Sequence, residues 1–193
     1  MPWAVDMTSY VNANSDLQTA CWSATFGYPL GTVAWSAIVE SQAALAAGTA
    51  SLLAQGGYLD RVESAQELAP TPGYDVLRQL VHGAPGEPPA LGAIANITTA
   101  TAVVDRMEQA MAWALEITVH AEEKIGQPVS LFTDVFGTMG GVAWITIAAD
   151  AAAADAAAQA ALGADPTYPK LISGSKDLFI PGSGHVSQLT RFA

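Results

Sequence analysis

Cysteine and basic residues are scarce in this sequence. Its 193 residues include one cysteine and seven lysine and arginine residues, against 18 aspartate and glutamate residues, which gives a formal net charge of −11. A single cysteine excludes an intramolecular disulfide and a zinc site built from cysteines. Because nucleic acids and anionic membrane surfaces bind basic patches, the charge balance also argues against both as partners.

Long apolar runs and targeting segments are absent as well. The closest candidate for a membrane-spanning helix, the alanine-rich block 142–164, is interrupted by Asp150 and Asp155. Residues 1–16 carry two aspartates and no lysine or arginine, unlike a secretory signal. The sequence therefore predicts a cytoplasmic protein without membrane insertion.

Motifs for metals and nucleotides are also missing. The chain contains no GxGxxG, GxxxxGKS/T or GxSxG pattern, so nucleotide binding and α/β-hydrolase chemistry have no support. Its three histidines, His82, His120 and His185, are scattered and form no HxxxH or HExxH pair. We expect no metal site and no cofactor.

What the sequence does contain is an internal similarity. Half of the residues are hydrophobic (51%) and 13% are charged, a balance typical of a folded chain with a substantial core. Val33-Ala34-Trp35 matches Val142-Ala143-Trp144 at an offset of about 109 residues, and Phe26-Gly27 matches Phe136-Gly137. Such matches continue in one order over about 60 residues, which predicts an internal duplication.

In the second copy the pattern predicts strand, helix, strand, strand, helix, strand. The first helix has apolar residues every three or four positions and ends at Gly126, and a glycine-rich hairpin joins the middle strands. The predicted elements are strand Ala93–Thr99, helix 102–125, strands Val129–Phe136 and Val142–Ala148, helix 151–162 and strand His185–Phe192.

The first copy has the same second half but less room before it. About 26 residues precede its Phe-Gly, against about 45 in the second copy. We therefore expect a first strand at Trp3–Val11 and a first helix that is lost or shortened. The remaining predicted elements are the hairpin Leu17–Phe26 and Thr32–Val39, helix Gln42–Gln55 and strand Tyr74–His82.

Composition and strand patterning set the expected domain organisation. The proline- and glycine-rich segment 84–90 predicts a linker between a first unit at 1–83 and a second at 91–193. Both faces of strand Val142–Ala148 are apolar, so both must be covered. Helices would cover one face, and a second sheet supplied by the other copy is the simplest cover for the other.

These features resemble the dimeric α/β-barrel superfamily, which includes antibiotic-biosynthesis-type monooxygenases, NIPSNAP-like proteins and stress-responsive barrel proteins. The similarity comprises the glycine-rich connection, a tryptophan on the third strand, the segment Asp165-Pro166-Thr167-Tyr168 after an alanine-rich helix, and a Pro-Gly turn before the last strand. It implies an α+β fold of two ferredoxin-like repeats that form a pseudo-dimeric barrel within one chain.

The resemblance also implies a pocket between the sheet and the helices of a repeat. Trp35, Trp144 and Phe136 would then form aromatic walls, although each tryptophan can equally be a core residue. Asn96, an amide on an apolar strand, needs hydrogen-bond partners and is a further ligand-binding candidate. Haem-degrading relatives pair such residues with a histidine on the second helix, and helix 151–162 has none, so haem degradation is not expected.

His120 and His185 are the candidates for an acid or base. His120 follows Glu116 by one helical turn, which equally fits a solvated pair, and His185 opens the last strand, where pockets of such folds open.

Three functions remain open from the sequence. The first is binding of a hydrophobic or aromatic small molecule without a cofactor. The second is a cofactor-independent monooxygenase or isomerase that deprotonates a phenol, and the third is a structural or assembly subunit, as a homo-oligomer or with a protein partner. A cavity of about 300 Å³ or more between the sheet and a helix of the second copy would favour the first two, and a solid core there would favour the third.

Overall fold

The computed structural model describes residues 2–69, 73–84, 86, 88–162 and 167–193 as a mixed α+β fold. Its helices are α1 (Pro2–Asn14), α2 (Gln42–Leu53), α3 (Gly56–Ser64), α4 (Met107–Ile125), α5 (Ala151–Leu162) and α6 (Tyr168–Gly174). Its strands are β1 (Thr19–Phe26), β2 (Val33–Ala37), β3 (Leu77–His82), β4 (Ile94–Thr101), β5 (Ser130–Phe136), β6 (Gly141–Ala148) and β7 (His185–Arg191). The α+β fold class is confirmed.

The seven strands form one curled antiparallel sheet in the order β2-β1-β7-β4-β6-β5-β3. The strands of the second half of the chain are adjacent in the centre, and those of the first half flank them on both sides. Strand β7 pairs with β1, and β3 pairs with β5, so each half of the chain supplies a strand that pairs with the other. The expected second sheet is therefore wrong, since the strands of the first half extend the same sheet.

The predicted strand Trp3–Val11 is also wrong, because these residues lie in helix α1. The buried residues of α1 are Ala4, Met7 and Thr8, a spacing of three and four that places them on one helical face. Helix α1 has 13 residues, against 19 in α4.

Helices α1 and α4 make equivalent hydrogen bonds. The hydroxyl of Thr8 donates to Ala4 O at 2.7 Å, and that of Thr118 donates to Ala114 O at 2.6 Å. In each helix a side-chain oxygen also accepts a hydrogen bond from a backbone N–H. That N–H belongs to the first residue of the following strand or to the residue just before it. Asn12 Oδ1 accepts from Thr19 N at 2.7 Å, and Glu122 Oε1 accepts from Val129 N at 2.9 Å. The helical residues of each equivalent pair are 110 positions apart.

The tryptophans of the two halves correspond in the same way. Trp3 Nε1 donates to Arg61 O at 2.9 Å, and Trp113 Nε1 donates to Leu171 O at 2.7 Å. Trp3 meets Trp35 edge to face, as Trp113 meets Trp144. The two halves therefore share a set of contacts between their helices and strands.

Most elements of the second half lie where the sequence predicts them. Gly126 adopts a left-handed conformation (φ 67°) and ends α4, and the Asp150 carboxylate caps α5 by accepting from Ala153 N at 2.8 Å. Residues 85 and 87 of the predicted linker, and residues 165 and 166 of the segment before Thr167, lie outside the described residues.

Both faces of the sheet are buried near its centre. On the face toward α4, Leu131 and Val142 pack with Ala114. On the opposite face, Trp22, Ala95 and Leu189 form a second cluster. The prediction that both faces of β6 are covered is confirmed where Val142 and Ala143 are 2% and 0% exposed.

A hydrogen bond between His82 and Glu122 joins β3 to α4. The Glu122 carboxylate contacts His82 Nε2 at 2.8 Å and also accepts the Val129 N–H. Partial burial alone would raise the pKa of Glu122, but the Val129 hydrogen bond and His82 outweigh it, so the pKa lies below its ordinary value. The ionised form therefore stabilises the folded chain.

We expect Glu122→Gln to lower the free energy of unfolding by about 1 kcal/mol at pH 7, less than a fully buried hydrogen bond to a charged group contributes, because the Glu122 side chain is 26% exposed. A lowered pKa means that the stabilisation is full above about pH 4.5, the unfolded value, and is lost as the pH falls through the folded value. Urea unfolding curves of the wild type and the variant should thus converge once the pH falls below the folded value. Glu123→Gln, at the exposed neighbouring position, is the control and should stay within a few tenths of a kcal/mol.

Candidate functional site

A cleft of about 320 Å³ lies at one end of the curled sheet, where β4 and β5 end and β3, β6 and β7 begin. Its volume falls within the range of small-molecule sites. Aromatic rings and polar side chains from both halves of the chain meet there. Those residues are Tyr28, Tyr74, Arg78, Thr99, Thr101, Asp134, Thr138, Ser183 and His185.

An ion pair between the two halves forms one wall of the cleft. Arg78 on β3 and Asp134 on β5 are direct partners in the strand register, and Arg78 Nε donates to Asp134 Oδ1 at 2.9 Å. The side chain of Asp134 is 8% exposed and that of Arg78 is 28% exposed. The second carboxylate oxygen, Asp134 Oδ2, accepts from Thr138 N at 3.2 Å. The aspartate is thus held from two sides.

The glycine-rich connection between β5 and β6 makes room for this carboxylate. A Cβ atom on Gly141 would collide with the carboxylate of Asp134 and would lie 2.9 Å from Thr138 O. A Cβ atom on Gly137 would also be close, at 3.1 Å from Asp134 Oδ2, and Gly137 has a positive φ of 144°. The glycines that form the predicted hairpin connection therefore also accommodate a buried charge.

His185, the first residue of β7, lines the opposite part of the cleft. Its ring lies against Tyr28, with 5.0 Å between the ring centroids and 53° between the planes. Its Nε2 atom is buried and has no hydrogen-bond partner among the described residues. Buried polar atoms are normally paired, so this nitrogen has hydrogen-bonding capacity that the described residues leave unused.

Trp144 and Trp35 lie elsewhere, between the sheet and the helices. Trp144 packs against Trp113 and Phe179 and donates to Ala114 O at 3.3 Å. Trp35 packs against Trp3 and donates to a threonine hydroxyl at 2.9 Å. Two rings, those of Trp113 and Phe179, thus occupy the space beside Trp144 where the resemblance implies a pocket.

Strand register separates Trp144 from His185. Trp144 is opposite Thr98 and His185 is opposite Thr99, and consecutive residues of a strand point to opposite faces. Asn96 is on the Trp144 face, and its Oδ1 accepts from Gln188 Nε2 at 3.0 Å. The predicted combination of His185 as the base with Asn96 and Trp144 is therefore not brought together.

The other two predicted site residues do not line the cleft. Phe136, the last residue of β5, is 61% exposed. His120 is half-buried on α4. Of the six residues predicted from the sequence, His185 alone lines the cleft, and the sequence singles out none of Tyr28, Tyr74, Arg78 and Asp134.

A second hollow, of about 440 Å³, lies between the end of α1 and α2. Small and polar side chains line it, and Asp16 is its one charged residue. Because its described lining lacks aromatic and basic groups, it offers fewer contacts to an organic ligand than the cleft does.

Cys21 and the acidic residues form no site in the part of the chain that the structure describes. Cys21 is fully buried, and burial raises the pKa of its thiol although a hydrogen bond with Thr8 opposes this. No group of three or more histidine, cysteine, aspartate or glutamate side chains that could hold a metal ion occurs in the described segments. Within them, every helix is too short or too polar to cross a membrane.

Comparison with known proteins identifies relatives in structure but not in sequence. No family model matches the chain, and no curated protein matches it. A crystal structure of a candidate monooxygenase from Fusobacterium nucleatum superimposes with a TM-score of 0.63 at 12% identity and covers 100% of this chain and 84% of its own. A candidate monooxygenase from Lactobacillus acidophilus gives a TM-score of 0.59 at 13% identity, with 98% and 84% coverage. The chain therefore shares the overall fold of these two proteins.

Proposed function

We propose that the chain is a tandem duplication of one ferredoxin-like unit, with halves at 1–83 and 91–193 joined by a linker at 84–90. The reciprocal pairing of β7 with β1 and of β3 with β5 supports this organisation. The equivalent hydrogen bonds of α1 and α4, at positions 110 residues apart, support it as well. The first half then lacks the strand that corresponds to β4, and the two halves together form a barrel-like unit within one chain.

The function that the geometry supports best is binding of a small hydroxylated aromatic molecule in the cleft, without a cofactor. The observation that carries it is the buried, unpartnered Nε2 of His185, which has no bond to any described residue. An unsatisfied buried polar atom costs about 1–3 kcal/mol, and a ligand hydroxyl that bonds to this nitrogen would recover part of that cost. Tyr28, Tyr74 and the apolar part of the lining offer contacts to an aromatic ring.

Binding should therefore depend on the ligand hydroxyl. We expect 4-ethylphenol to bind about five- to tenfold more tightly than its methyl ether, 4-ethylanisole, since the ether cannot donate a hydrogen bond. Isothermal titration calorimetry measures both. His185→Phe should abolish the preference, and His120→Phe, which changes a histidine outside the cleft, should retain it. Equal affinity for the two compounds, or the same preference in His185→Phe, would contradict the role of His185.

A second candidate function is cofactor-independent monooxygenation, which the fold shared with two candidate monooxygenases favours. His185 would take the proton of a bound phenol, and the electron-rich phenolate would react with molecular oxygen. A phenol and one O₂ give a para-quinone and one water, so atoms and electrons balance. The reaction needs confinement and a base, both of which the cleft offers.

Oxygen uptake separates catalysis from binding. With 1-naphthol as substrate and no added metal or flavin, a monooxygenase consumes one O₂ for each naphthoquinone formed, and His185→Phe loses this uptake. Saturable binding without oxygen uptake would leave the binding function and overturn the catalytic one. If no phenol binds, the third function, a structural or assembly subunit, is favoured over both.

A further inference from the structure

Arg78 has hydrogen-bond donors that the folded chain does not use. An arginine carries five N–H donors in a planar fork. The Nε–H is bound to Asp134 Oδ1, and no hydrogen bond from Nη1 or Nη2 is made to the described residues. The side chain is 28% exposed and lines the cleft. Four N–H groups of a charged side chain are thus available at the cleft wall.

Asp134 does not accept hydrogen bonds from these remaining N–H groups, because its carboxylate is already held in place. An arginine–aspartate pair is often bidentate, with two parallel hydrogen bonds. Here the second oxygen of Asp134 accepts from Thr138 N, and the carboxylate fills the space that a side chain on Gly141 would need. The guanidinium is therefore held through a single nitrogen, and Asp134 orients it.

A basic residue in this cleft stands out because basic residues are scarce in the chain. Only seven of 193 residues are lysine or arginine, and the net charge is −11. One of those seven lies in the same cleft as His185, two tyrosines and a carboxylate that is already paired. A planar guanidinium with free donors binds carboxylates in preference to neutral groups.

We propose that Arg78 binds a carboxylate, and that the ligand of the cleft is therefore a hydroxylated aromatic acid. This inference rests on the proposed binding function of the same cleft. The ligand carboxylate accepts from the free guanidinium N–H groups, its hydroxyl bonds to His185 Nε2, and its ring lies beside Tyr28. Arg78 thereby selects the acid over neutral phenols of the same shape.

The test compares 4-hydroxybenzoate with 4-hydroxybenzamide, two probes of nearly the same shape that differ in charge. We expect the wild type to bind the acid about tenfold more tightly than the amide in calorimetric titrations at pH 7. General electrostatics works against this result, since a chain of net charge −11 repels an anion. A preference for the acid must therefore come from a local contact.

Two variants of Arg78 and one control complete the test. Arg78→Gln should bind both probes equally. Arg78→Lys keeps a positive charge beside Asp134 and replaces Arg78→Gln in the test if that variant fails to fold. It should bind the acid less than about fivefold more tightly than the amide. Arg106→Gln, an exposed arginine outside the cleft, should behave as the wild type.

The failures of the two proposals are distinguishable. If the amide binds the wild type as tightly as the acid, and this binding is lost in His185→Phe, the role of Arg78 is overturned and the binding function stands. The role of Arg78 is equally overturned if Arg78→Gln keeps the preference for the acid. If neither probe binds, both proposals are overturned.

Discussion

Replacing Trp144 by alanine should lower the free energy of unfolding by about 3 kcal/mol, the lower end of the range for a core tryptophan. The ring contacts both Trp113 and Phe179 edge to face, with centroids 6.0 and 6.1 Å away, and its Nε1 donates to Ala114 O. The variant leaves a cavity between β6 and α4 beside the fully buried Leu131. Urea denaturation monitored by far-ultraviolet circular dichroism measures the change.

Trp35 is the matched comparison, because it occupies the corresponding position in the first half. Its aromatic contact among the described residues is Trp3, and it is 40% exposed. We expect Trp35→Ala to cost about 1.5 kcal/mol, since less apolar area is lost and water already reaches the ring. If Trp144→Ala were neutral, or no more costly than Trp35→Ala, Trp144 would not be a core residue and its predicted role as a ligand wall would be favoured.

The elements of the second half could be predicted because local signals mark their ends. Gly126 ends α4 with a left-handed conformation, Asp150 caps α5, and glycines separate β5 from β6. These signals act over a few residues, so they do not depend on contacts with distant parts of the chain. The alternation and helical spacing between them then fix the type of each element.

Helix α1 is harder to predict, because the short chain before Phe26 suggests a missing helix rather than a missing strand. Residues 3–8 (WAVDMT) match residues 113–118 (WALEIT) at an offset of 110, and the latter lie in α4. The offset of about 109 that aligns Trp35 with Trp144 displaces this match by one residue. Phe26 already matches Phe136 at an offset of 110, and keeping that offset upstream of Phe26 assigns Trp3–Thr8 to a helix and leaves the first strand as the missing element.

The cleft could not be assembled from the sequence, since its walls depend on pairings between distant strands. Arg78 and Asp134 are 56 residues apart and meet through the pairing of β3 with β5. Such a pairing between halves has no local signal. The sequence does contain one indication of this pairing. Among aspartate, glutamate, lysine and arginine, Arg78 is the one residue in its strand, LRQLVH, and Asp134 is the one in SLFTDVF. A single charge within a strand of this kind needs a partner, and the two signs are opposite.

Gly141→Ala should be as damaging as the loss of the Trp144 ring, although it adds a single methyl group. The new Cβ collides with the Asp134 carboxylate, so either β6 shifts or the carboxylate moves away from both Arg78 and Thr138 N. Overpacking together with an unpaired, nearly buried carboxylate should cost about 3 kcal/mol. Urea denaturation gives the value, and calorimetry with 4-hydroxybenzoate shows whether the orientation of Arg78 is lost with it.

Gly184→Ala is the control for this substitution. Gly184 adjoins His185, and a Cβ atom there meets nothing within 4 Å and requires no left-handed backbone. Its stability should stay within about 0.5 kcal/mol of the wild type. If Gly141→Ala were equally mild, Asp134 would have room to move, and the rigid orientation of Arg78 on which carboxylate selectivity depends would be contradicted. A large loss of stability in Gly141→Ala alone would instead show that the Arg78–Asp134 pair requires a glycine at position 141.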